Sequence, residues 1–191
     1  MTETLLNASL TLSAKANAFE AFVESYRDRA LRLAFRLLRG DQAAAEDVAQ
    51  NAFLRAHRAL AGFRGDSKID TWFYRILVRE AQRHRRWQAV RRLWNAESAE
   101  IGDVADPQPQ GDPALRRRIS AALDRLSSGQ REAFVLVHLE GFSVVETAEI
   151  LAKAPGTIKS HLHRALSSLR QDLSDLRSTD GPEIRSPGGV S

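Results

Sequence analysis

Two segments of this chain carry the residues that could do chemistry, and in both the chemistry is recognition of a polyanion. Between Arg75 and Arg92 seven arginines accompany a single acid, Glu80, and Trp72 lies just upstream. Guanidinium groups pair with phosphates and aromatic rings stack on unpaired bases, a combination that binding of single-stranded nucleic acid requires. The alternative interpretation is that Trp72 and Tyr74 pack in the core and the arginines only make the helix soluble.

The second segment runs from Gly141 to Leu166, and the spacing of its apolar residues divides it into two short helices joined by a tight turn. Pro155 fits the first position of the second helix, where its missing N–H is not needed. The outer side of that helix carries polar and basic groups, namely Thr157, Lys159, Ser160, His161, His163 and Arg164. This arrangement is typical of a helix-turn-helix, whose second helix enters the DNA major groove. A solvated face on an ordinary helical bundle is the alternative.

Catalytic and metal chemistry have no comparable support. The sequence contains no glycine-rich phosphate loop, no HExxH motif and no set of residues that assembles into a Ser-His-Asp triad. It has no cysteine, which excludes disulfides and thiolate ligands. His161 and His163 are two positions apart on one helix and cannot converge on a metal ion. We therefore expect no enzyme activity, no metal and no cofactor.

The composition indicates a globular protein with an acidic partner. The chain has 191 residues, 43% of them hydrophobic, which is enough for one ordinary domain or two small ones. Its net charge of +4 makes nucleic acid the first candidate for a partner. The absence of cysteine fits a reducing cytoplasm, and no apolar run reaches the roughly 20 residues that span a bilayer. We therefore expect a cytoplasmic protein with no membrane insertion.

The basic helix must be positioned by a first helical domain, which we predict over residues 18–94. Apolar residues recur at steps of three and four from Phe19 to Leu37 and predict one amphipathic helix. Gly40 stands where it would end that helix, and Asp41 where it would cap the next one. A row of alanines on the second helix allows a neighbouring helix to approach closely. A third helix is expected from about Asp70.

The rest of the chain is predicted to contain a linker, a second domain and a tail. Residues 95–113 have three prolines, five acids and no lysine or arginine, a composition typical of a flexible acidic linker. Residues 114–176 are predicted to form the second helical domain. Residues 177–191 are rich in Gly, Pro and Ser and predict a disordered tail, and residues 1–17 are the other candidate for disorder. The predicted fold class is all-α, with two small helical domains joined by the linker.

Taken together, these segments resemble the extracytoplasmic-function sigma factors, the small two-domain group of the sigma-70 family. The matching residues run from Tyr26 to Leu60 and from Phe63 to Ile76 in the first domain, and from Leu123 to Leu166 in the second. The resemblance implies that the first domain is sigma region 2 and the second sigma region 4. It also implies a promoter-specificity subunit that binds core RNA polymerase and assists promoter opening.

The resemblance implies three sets of contacts. The second helix would dock on a coiled coil of the polymerase β′ subunit through Asp47, Gln50, Asn51 and Arg55. The loop and the third helix would hold the melted minus-ten element through Arg64, Asp66, Ser67, Lys68, Trp72, Arg75, Arg79, Arg83 and Arg86. The outer face of the last helix would read the minus-thirty-five element, with Lys159, Ser160, His163 and Arg164 as the foremost contacts beside Thr157 and His161.

The partners implied by the resemblance are core RNA polymerase with its β′ and β subunits, promoter DNA and an anti-sigma factor. In many members of the family the anti-sigma factor is a membrane protein whose cytosolic part wraps both domains. Two other functions stay open from the sequence. One is a stand-alone helix-turn-helix transcription regulator, and the other is a sigma mimic that titrates an anti-sigma factor without touching promoters. Charge reversal at Arg79 and Arg164 would separate these three functions.

Overall fold

The computed structural model of the protein describes residues 2–94 and 112–174, and within those ranges it contains α-helices and no β-strand. The predicted all-α class is confirmed. The helices are α1 (Thr2–Leu37), α2 (Gln42–Leu60), α3 (Ile69–Trp94), α4 (Pro113–Arg125), α5 (Ser128–Phe134), α6 (Val144–Leu151) and α7 (Pro155–Asp172). A short π-helical segment, Val135–Leu139, continues directly from α5.

Helix α1 begins at Thr2 and so includes the N-terminal segment that the sequence leaves open as a candidate for disorder. The reason is visible in the sequence, which has neither glycine nor proline before Gly40 and therefore no residue that would stop the helix upstream. At the other end, Gly40 adopts a φ of 86° and its N–H bonds to the carbonyl of Phe35. Only a residue without Cβ enters this left-handed conformation without strain, so the predicted end of the helix is confirmed.

The first three helices pack together around an aromatic centre. The carboxylate of Asp41 caps α2 by accepting from the N–H of Ala44 at 2.9 Å. The alanine face of α2 is buried as predicted, and this narrow face allows α1 and α3 to pack closely. Phe73 of α3 is fully buried, and four aromatic rings surround it, those of Phe22, Tyr26, Phe53 and Tyr74. This centre fixes the direction in which the other side of α3 faces.

The second half of the chain begins one residue earlier than predicted. Asp112 caps α4 by accepting from the N–H of Ala114, and Pro113 is the first residue of the helix. The sequence predicts both residues to lie in the linker, but a carboxylate followed by proline is a favourable start for a helix. The other linker residues, 95–111, and the tail from residue 175 lie outside the described residues.

The helix that follows α4 changes its winding partway along. Ser127 and Gln130 form the predicted capping box at the start of α5. From Val135 to Leu139 the turn widens to a π-helix, so that the N–H of Glu140 reaches the carbonyl of Val135 at 3.0 Å. The sequence pattern did not predict this widening. Gly141, with a φ of 78°, ends the segment.

Helices α6 and α7 form the predicted helix-turn-helix. Ser143 and Glu146 make the capping box that opens α6, and Pro155 is the first residue of α7. The inner stripe of α7 is buried against the other helices, with Ile158 and Ala165 fully inaccessible. The turn between the two helices passes through Ala152, which adopts a left-handed conformation with a φ of 52°.

We expect the Ala152→Gly substitution to stabilise the protein. A Cβ in the left-handed region costs about 1 kcal/mol, and glycine removes that cost at the expense of a more flexible unfolded chain. The net gain should be about 0.5–1 kcal/mol, a rise in melting temperature of about 1–4 °C. Thermal unfolding followed by circular dichroism would measure it. The matched control is Ala59→Gly in the helical part of α2, which should lower stability by about 0.5–1 kcal/mol.

The two halves of the chain pack against each other, which the sequence did not predict. Helix α6 lies along α3, and the π-helical segment contacts α1. Leu136 and Phe142 of the second half belong to the same buried apolar cluster as Leu33 and Tyr74 of the first. A smaller cluster around Ala122, Leu126, Ala165 and Leu169 holds α4 against α7. The arrangement described is therefore closed, with the helix-turn-helix domain resting on the basic helix.

Candidate polymerase and nucleic-acid interfaces

The residues predicted to bind polymerase lie on the exposed side of α2. Asp47, Gln50, Asn51 and Arg55 are all solvent-accessible, opposite the buried alanine face. The side-chain amide of Asn51 donates to the carbonyl of Asp47 at 2.8 Å, which is a bond within the helix. Arg55 is tied to α3 by an ion pair with Glu80 at 2.6 Å. Within the described residues, no hydrogen bond or ion pair engages the side chains of Asp47 and Gln50.

A shallow cavity of about 200 Å³ lies between this face of α2 and α3 and is lined by residues of both helices. Glu80 is buried beside it and holds Arg55 of α2 and Arg83 of α3 in ion pairs. Trp87 forms part of the cavity wall although 55% of the residue is exposed, and the guanidinium of Arg91 lies 5.1 Å from its ring centroid. The sequence interpretation did not single out Trp87. The signal was present, since aromatic residues recur among the arginines of this helix.

The arginines of α3 form a face that the structure divides into two parts. Arg79 and Arg86 are exposed, and no ion pair joins either of them in the described residues. Arg75 is partly buried and lies 4.0 Å from Glu149 of α6. Arg83 is exposed but paired with Glu80 on the same helix. Arg79 and Arg86 thus lie one turn on either side of Arg83, and their unpaired guanidinium groups can bind phosphate on the outward part of this face.

The loop between α2 and α3 supplies the remaining residues of the predicted minus-ten site. Arg64, Asp66 and Lys68 are exposed, and Ser67 is half-buried. Trp72 is also half-buried, and its ring packs on Phe63 with centroids 5.1 Å apart. Trp72 is therefore neither fully buried in the core nor fully exposed. It lies where the loop joins the basic helix α3. Tyr74, by contrast, is completely buried.

Four of the six predicted residues of α7 converge on one open concave surface, which is lined by Lys159, Ser160, His163 and Arg164. Thr157 is exposed near the start of the helix. The hydroxyl of Ser160 donates to the carbonyl of Gly156 at 3.0 Å, which leaves its lone pairs free to accept a hydrogen bond. Lys159 and Arg164 are exposed cations that could bind phosphate or a base edge.

His161 faces a different direction from the other five. Its ring is half-buried and lies against Gly129 at the start of α5, so close that a Cβ at position 129 would meet the ring at 2.9 Å. Burial, together with the charges of Lys153 and Arg164, lowers the pKa of His161 below its ordinary value. The lowered pKa favours the neutral form of the imidazole. His161 is therefore mainly a contact between α7 and α5, and only secondarily a residue that could contact DNA.

Within the described residues no group of His, Asp or Glu side chains is arranged to hold a metal ion. None of the described helices combines the length and the apolar character needed to cross a membrane.

Comparison with protein families matches both halves of the chain. Residues 22–91 match the family described as "Sigma-70 region 2", and residues 116–169 match "Sigma-70, region 4". The first range contains α2 and most of α3, and the second contains the helix-turn-helix. Together the two matches cover more than half of the chain.

Two curated relatives match over most of their length. RNA polymerase sigma-H factor of Pseudomonas aeruginosa is 35% identical over 170 residues, which cover 83% of this chain and 88% of the relative. The ECF RNA polymerase sigma factor SigM of Mycobacterium tuberculosis is 35% identical over 182 residues, covering 94% of this chain and 89% of the relative.

Two solved structures resemble the fold. The sigma factor RpoE in complex with the anti-sigma factor NepR from Bartonella quintana aligns with a TM-score of 0.73 and 26% identity, covering 86% of this chain and 99% of that one. CnrH in complex with the cytosolic domain of CnrY aligns with a TM-score of 0.61 and 25% identity, covering 91% and 96%. With two family matches and relatives at 35% identity, the chain belongs to the extracytoplasmic-function RNA polymerase sigma factors of the sigma-70 family.

Proposed function

We propose that this protein binds core RNA polymerase in the cytoplasm, directs it to particular promoters and assists their opening, without catalysing a reaction itself. One observation carries the proposal. A single chain of this family presents two separate exposed cationic surfaces, one on α3 around Arg79 and Arg86 and one on α7 around Lys159 and Arg164. Two cationic surfaces, one on each half of the chain, are expected of a protein that binds two promoter elements. A regulator that binds one operator half-site would need only one such surface.

Polymerase binding is assigned to the exposed side of α2. Asp47, Gln50, Asn51 and Arg55 would contact the β′ subunit, and the β subunit is the other part of core polymerase that we expect the protein to contact. The support is that this side of α2 is polar and accessible while its other side is sealed by alanines. Arg55 and Glu80 link this face to α3, so that a partner on α2 would also contact the helix that faces DNA.

Binding of the melted minus-ten element is assigned to α3 and the loop before it. Arg79 and Arg86 would hold phosphates of the displaced strand, and Trp72 is placed to receive an unstacked base beside Phe63. Arg83 and Arg75 would join them once released from their carboxylate partners. The residues Arg64, Asp66, Ser67 and Lys68 would complete the site from the loop side.

Reading of the minus-thirty-five element is assigned to α7. Lys159, Ser160, His163 and Arg164 line one concave surface and would contact base edges and phosphates in the major groove. Thr157, near the start of α7, would contact the DNA backbone. His161 is assigned a smaller part, that of holding α7 against α5.

Control by an anti-sigma factor is proposed as the third interaction. The support is that the structural relative RpoE was solved in complex with the anti-sigma factor NepR, while CnrH was solved in complex with the cytosolic domain of CnrY. Membrane anchoring of such a partner is an expectation from the family, and the part of CnrY that is bound to CnrH is a cytosolic domain.

Run-off transcription tests the proposal. Core bacterial polymerase would be incubated with and without this protein on a pool of promoter-sized genomic fragments, and we expect discrete transcripts that depend on the protein. Gln50→Ala should reduce transcripts by weakening polymerase binding, with DNA contacts intact. Arg164→Ala should reduce them by about tenfold or more, since one base-specific contact contributes about 1–3 kcal/mol.

Two matched variants control for general damage. Arg170→Ala removes an exposed arginine from the last turn of α7, away from the concave surface, and should leave transcription within about twofold. Ala43→Ser changes an exposed position at the start of α2 and should leave polymerase binding unchanged. DNA binding by the protein alone without any protein-dependent transcript would contradict the proposal and favour a stand-alone regulator.

A further inference from the structure

The outward side of α3 carries a stripe of residues that repeat one helical turn apart. The repeat occurs at steps of four residues, about 6 Å along the helix axis, and its members are Arg79, Arg83, Trp87 and Arg91. Trp87 is 55% exposed, and the guanidinium of Arg91 lies over its ring. Glu80 is the single acid in the sequence from Arg79 to Trp94, and it is buried. The surface of this stripe therefore offers guanidinium groups on both sides of an exposed indole.

The cavity between α2 and α3 lies beside this stripe and is small. Its volume of about 200 Å³ is below the range of about 300–1,000 Å³ that is usual for whole small-molecule ligands. A space of this size takes a single ring system, such as one nucleobase or one aromatic side chain. Its walls consist of Val48 and Asn51 of α2 and of Glu80, Arg83, His84 and Trp87 of α3. Trp87 is thus shared by the stripe and the cavity.

Polar atoms of two cavity residues are available for a ligand. Nε2 of His84 is buried without a hydrogen-bond partner in the described part of the chain, which costs free energy as long as the atom stays unpaired. The side-chain amide of Asn51 donates to the carbonyl of Asp47, and its oxygen stays available as an acceptor. Adenine and cytosine carry an exocyclic amine that donates to such an oxygen and a ring nitrogen to which an imidazole can bond. Thymine presents a carbonyl in place of the amine, so it fits these two atoms less well.

The charges around the cavity favour a nucleic-acid base over a protein side chain as its occupant. Arg79 and Arg86 are exposed, and no ion pair joins either of them within the described residues. Glu80 pairs with both Arg55 and Arg83, so its negative charge is already balanced. Proteins bind single strands with this combination, since guanidinium groups hold the phosphates while an exposed aromatic ring stacks on the base.

We propose that the cavity beside Trp87 receives one unstacked base of the melted strand, with adenine or cytosine preferred over thymine. The proposal rests on the function proposed for α3. Trp87 stacks on the base, Asn51 and His84 bond to its edge, and the arginines of the stripe hold the neighbouring phosphates. This site is separate from the one around Trp72, because the two tryptophans are 15 positions apart in the sequence and about 22 Å apart along α3. The melted strand is then held near both ends of the basic face.

Binding of single-stranded DNA to the full-length protein tests the proposal. Fluorescein-labelled oligodeoxycytidine and oligodeoxythymidine are the probes, and fluorescence anisotropy gives the dissociation constant of each. We expect the wild type to bind oligodeoxycytidine more tightly, and Trp87→Ala to weaken that binding by about tenfold, the usual effect of losing one stacked base. Trp87→Phe keeps an aromatic ring and should recover most of the affinity. A 2-aminopurine base within the oligonucleotide should be quenched by stacking in the wild type and less so in Trp87→Ala.

Two further variants separate the cavity from the rest of the helix. Trp94→Ala removes a tryptophan of the same helix that is 84% exposed and does not line the cavity, so the affinity should stay within about twofold. Asn51→Leu removes the acceptor at an exposed position, and the preference for oligodeoxycytidine over oligodeoxythymidine should disappear. Trp87→Ala should still weaken binding in that background. Circular dichroism of each variant would verify that the helices are intact.

Three results would overturn the proposal. Equal losses of affinity in Trp87→Ala and Trp94→Ala would show that exposed tryptophans bind DNA without a pocket. Equal binding of the two oligonucleotides by the wild type would show that the cavity does not read the edge of a base. Unchanged DNA binding by Trp87→Ala would exclude a base, and weaker binding of that variant to core polymerase would identify a protein side chain as the occupant. Failure of the proposed function is a different result, the absence of run-off transcripts with core polymerase for the wild type, whatever Trp87 does in DNA binding.

Discussion

The Arg79→Glu variant loses promoter opening while it still binds core polymerase; this is the expected result for the residue with the most direct role on α3. Arg79 is exposed, and within residues 2–94 and 112–174 no ion pair engages it. Reversing its charge removes one phosphate contact and adds repulsion to the same strand. Transcription should fall by about 10- to 100-fold, which corresponds to a loss of about 1.4–2.7 kcal/mol of binding free energy.

The measurement is run-off transcription together with permanganate footprinting of the melted region, and core binding is followed separately by native gel electrophoresis. Because counterion release scales with the number of phosphates contacted, the salt dependence of the remaining DNA binding should also become shallower. Arg170→Glu is the matched control, since it makes the same change of charge at an exposed position in the last turn of α7, outside the surfaces assigned to polymerase and DNA, and it should transcribe normally. Equal loss in both variants would show a nonspecific charge effect.

The largest effect on stability is expected from Phe73→Ala. Phe73 is fully buried, and its ring contacts those of Phe22, Tyr26, Phe53 and Tyr74. Removal of a buried phenyl ring leaves a cavity and costs about 3–5 kcal/mol of the free energy of unfolding. The melting temperature should fall by about 6–20 °C, and urea unfolding followed by circular dichroism would give the free energy directly.

Phe63→Ala is the comparison for this prediction. Phe63 is half-buried in the loop and touches Trp72, so its loss should cost less than half as much stability. It should instead weaken DNA binding, because Trp72 would lose the ring that supports it. A cost below 1 kcal/mol for Phe73→Ala would contradict the assignment of this ring to the centre of the first three helices.

The local structure was largely predictable because it follows from interactions close in sequence. Gly40, Asp41, Ser127 and Ser143 act at helix ends as their residue types and spacing predict. Their partners lie within five residues along the chain, so the sequence contains both members of each interaction. The widened turn of Val135–Leu139 escaped prediction, since its residues are as compatible with an ordinary α-helix.

The packing of the two halves could not be predicted from the sequence, because its partners are far apart along the chain. Glu140 pairs with Arg29 across 111 positions and with Arg36 across 104. Nothing about Lys68 or Arg75 in the sequence shows that a carboxylate of α6 lies beside each of them. His161 was assigned to the outer face of its helix by spacing alone, and only the position of Gly129 shows that its ring turns inward.

The π-helical turn before Glu140 also affects which deletions the fold can tolerate. In an ordinary α-helix a single deletion turns every later side chain by about 100°, since each turn contains 3.6 residues. A π-helical turn holds one residue more, and its loss returns the segment to regular winding with the later side chains in nearly the same direction. Val135–Leu139 is thus a place where one residue can be removed while Glu140 still points toward its arginines.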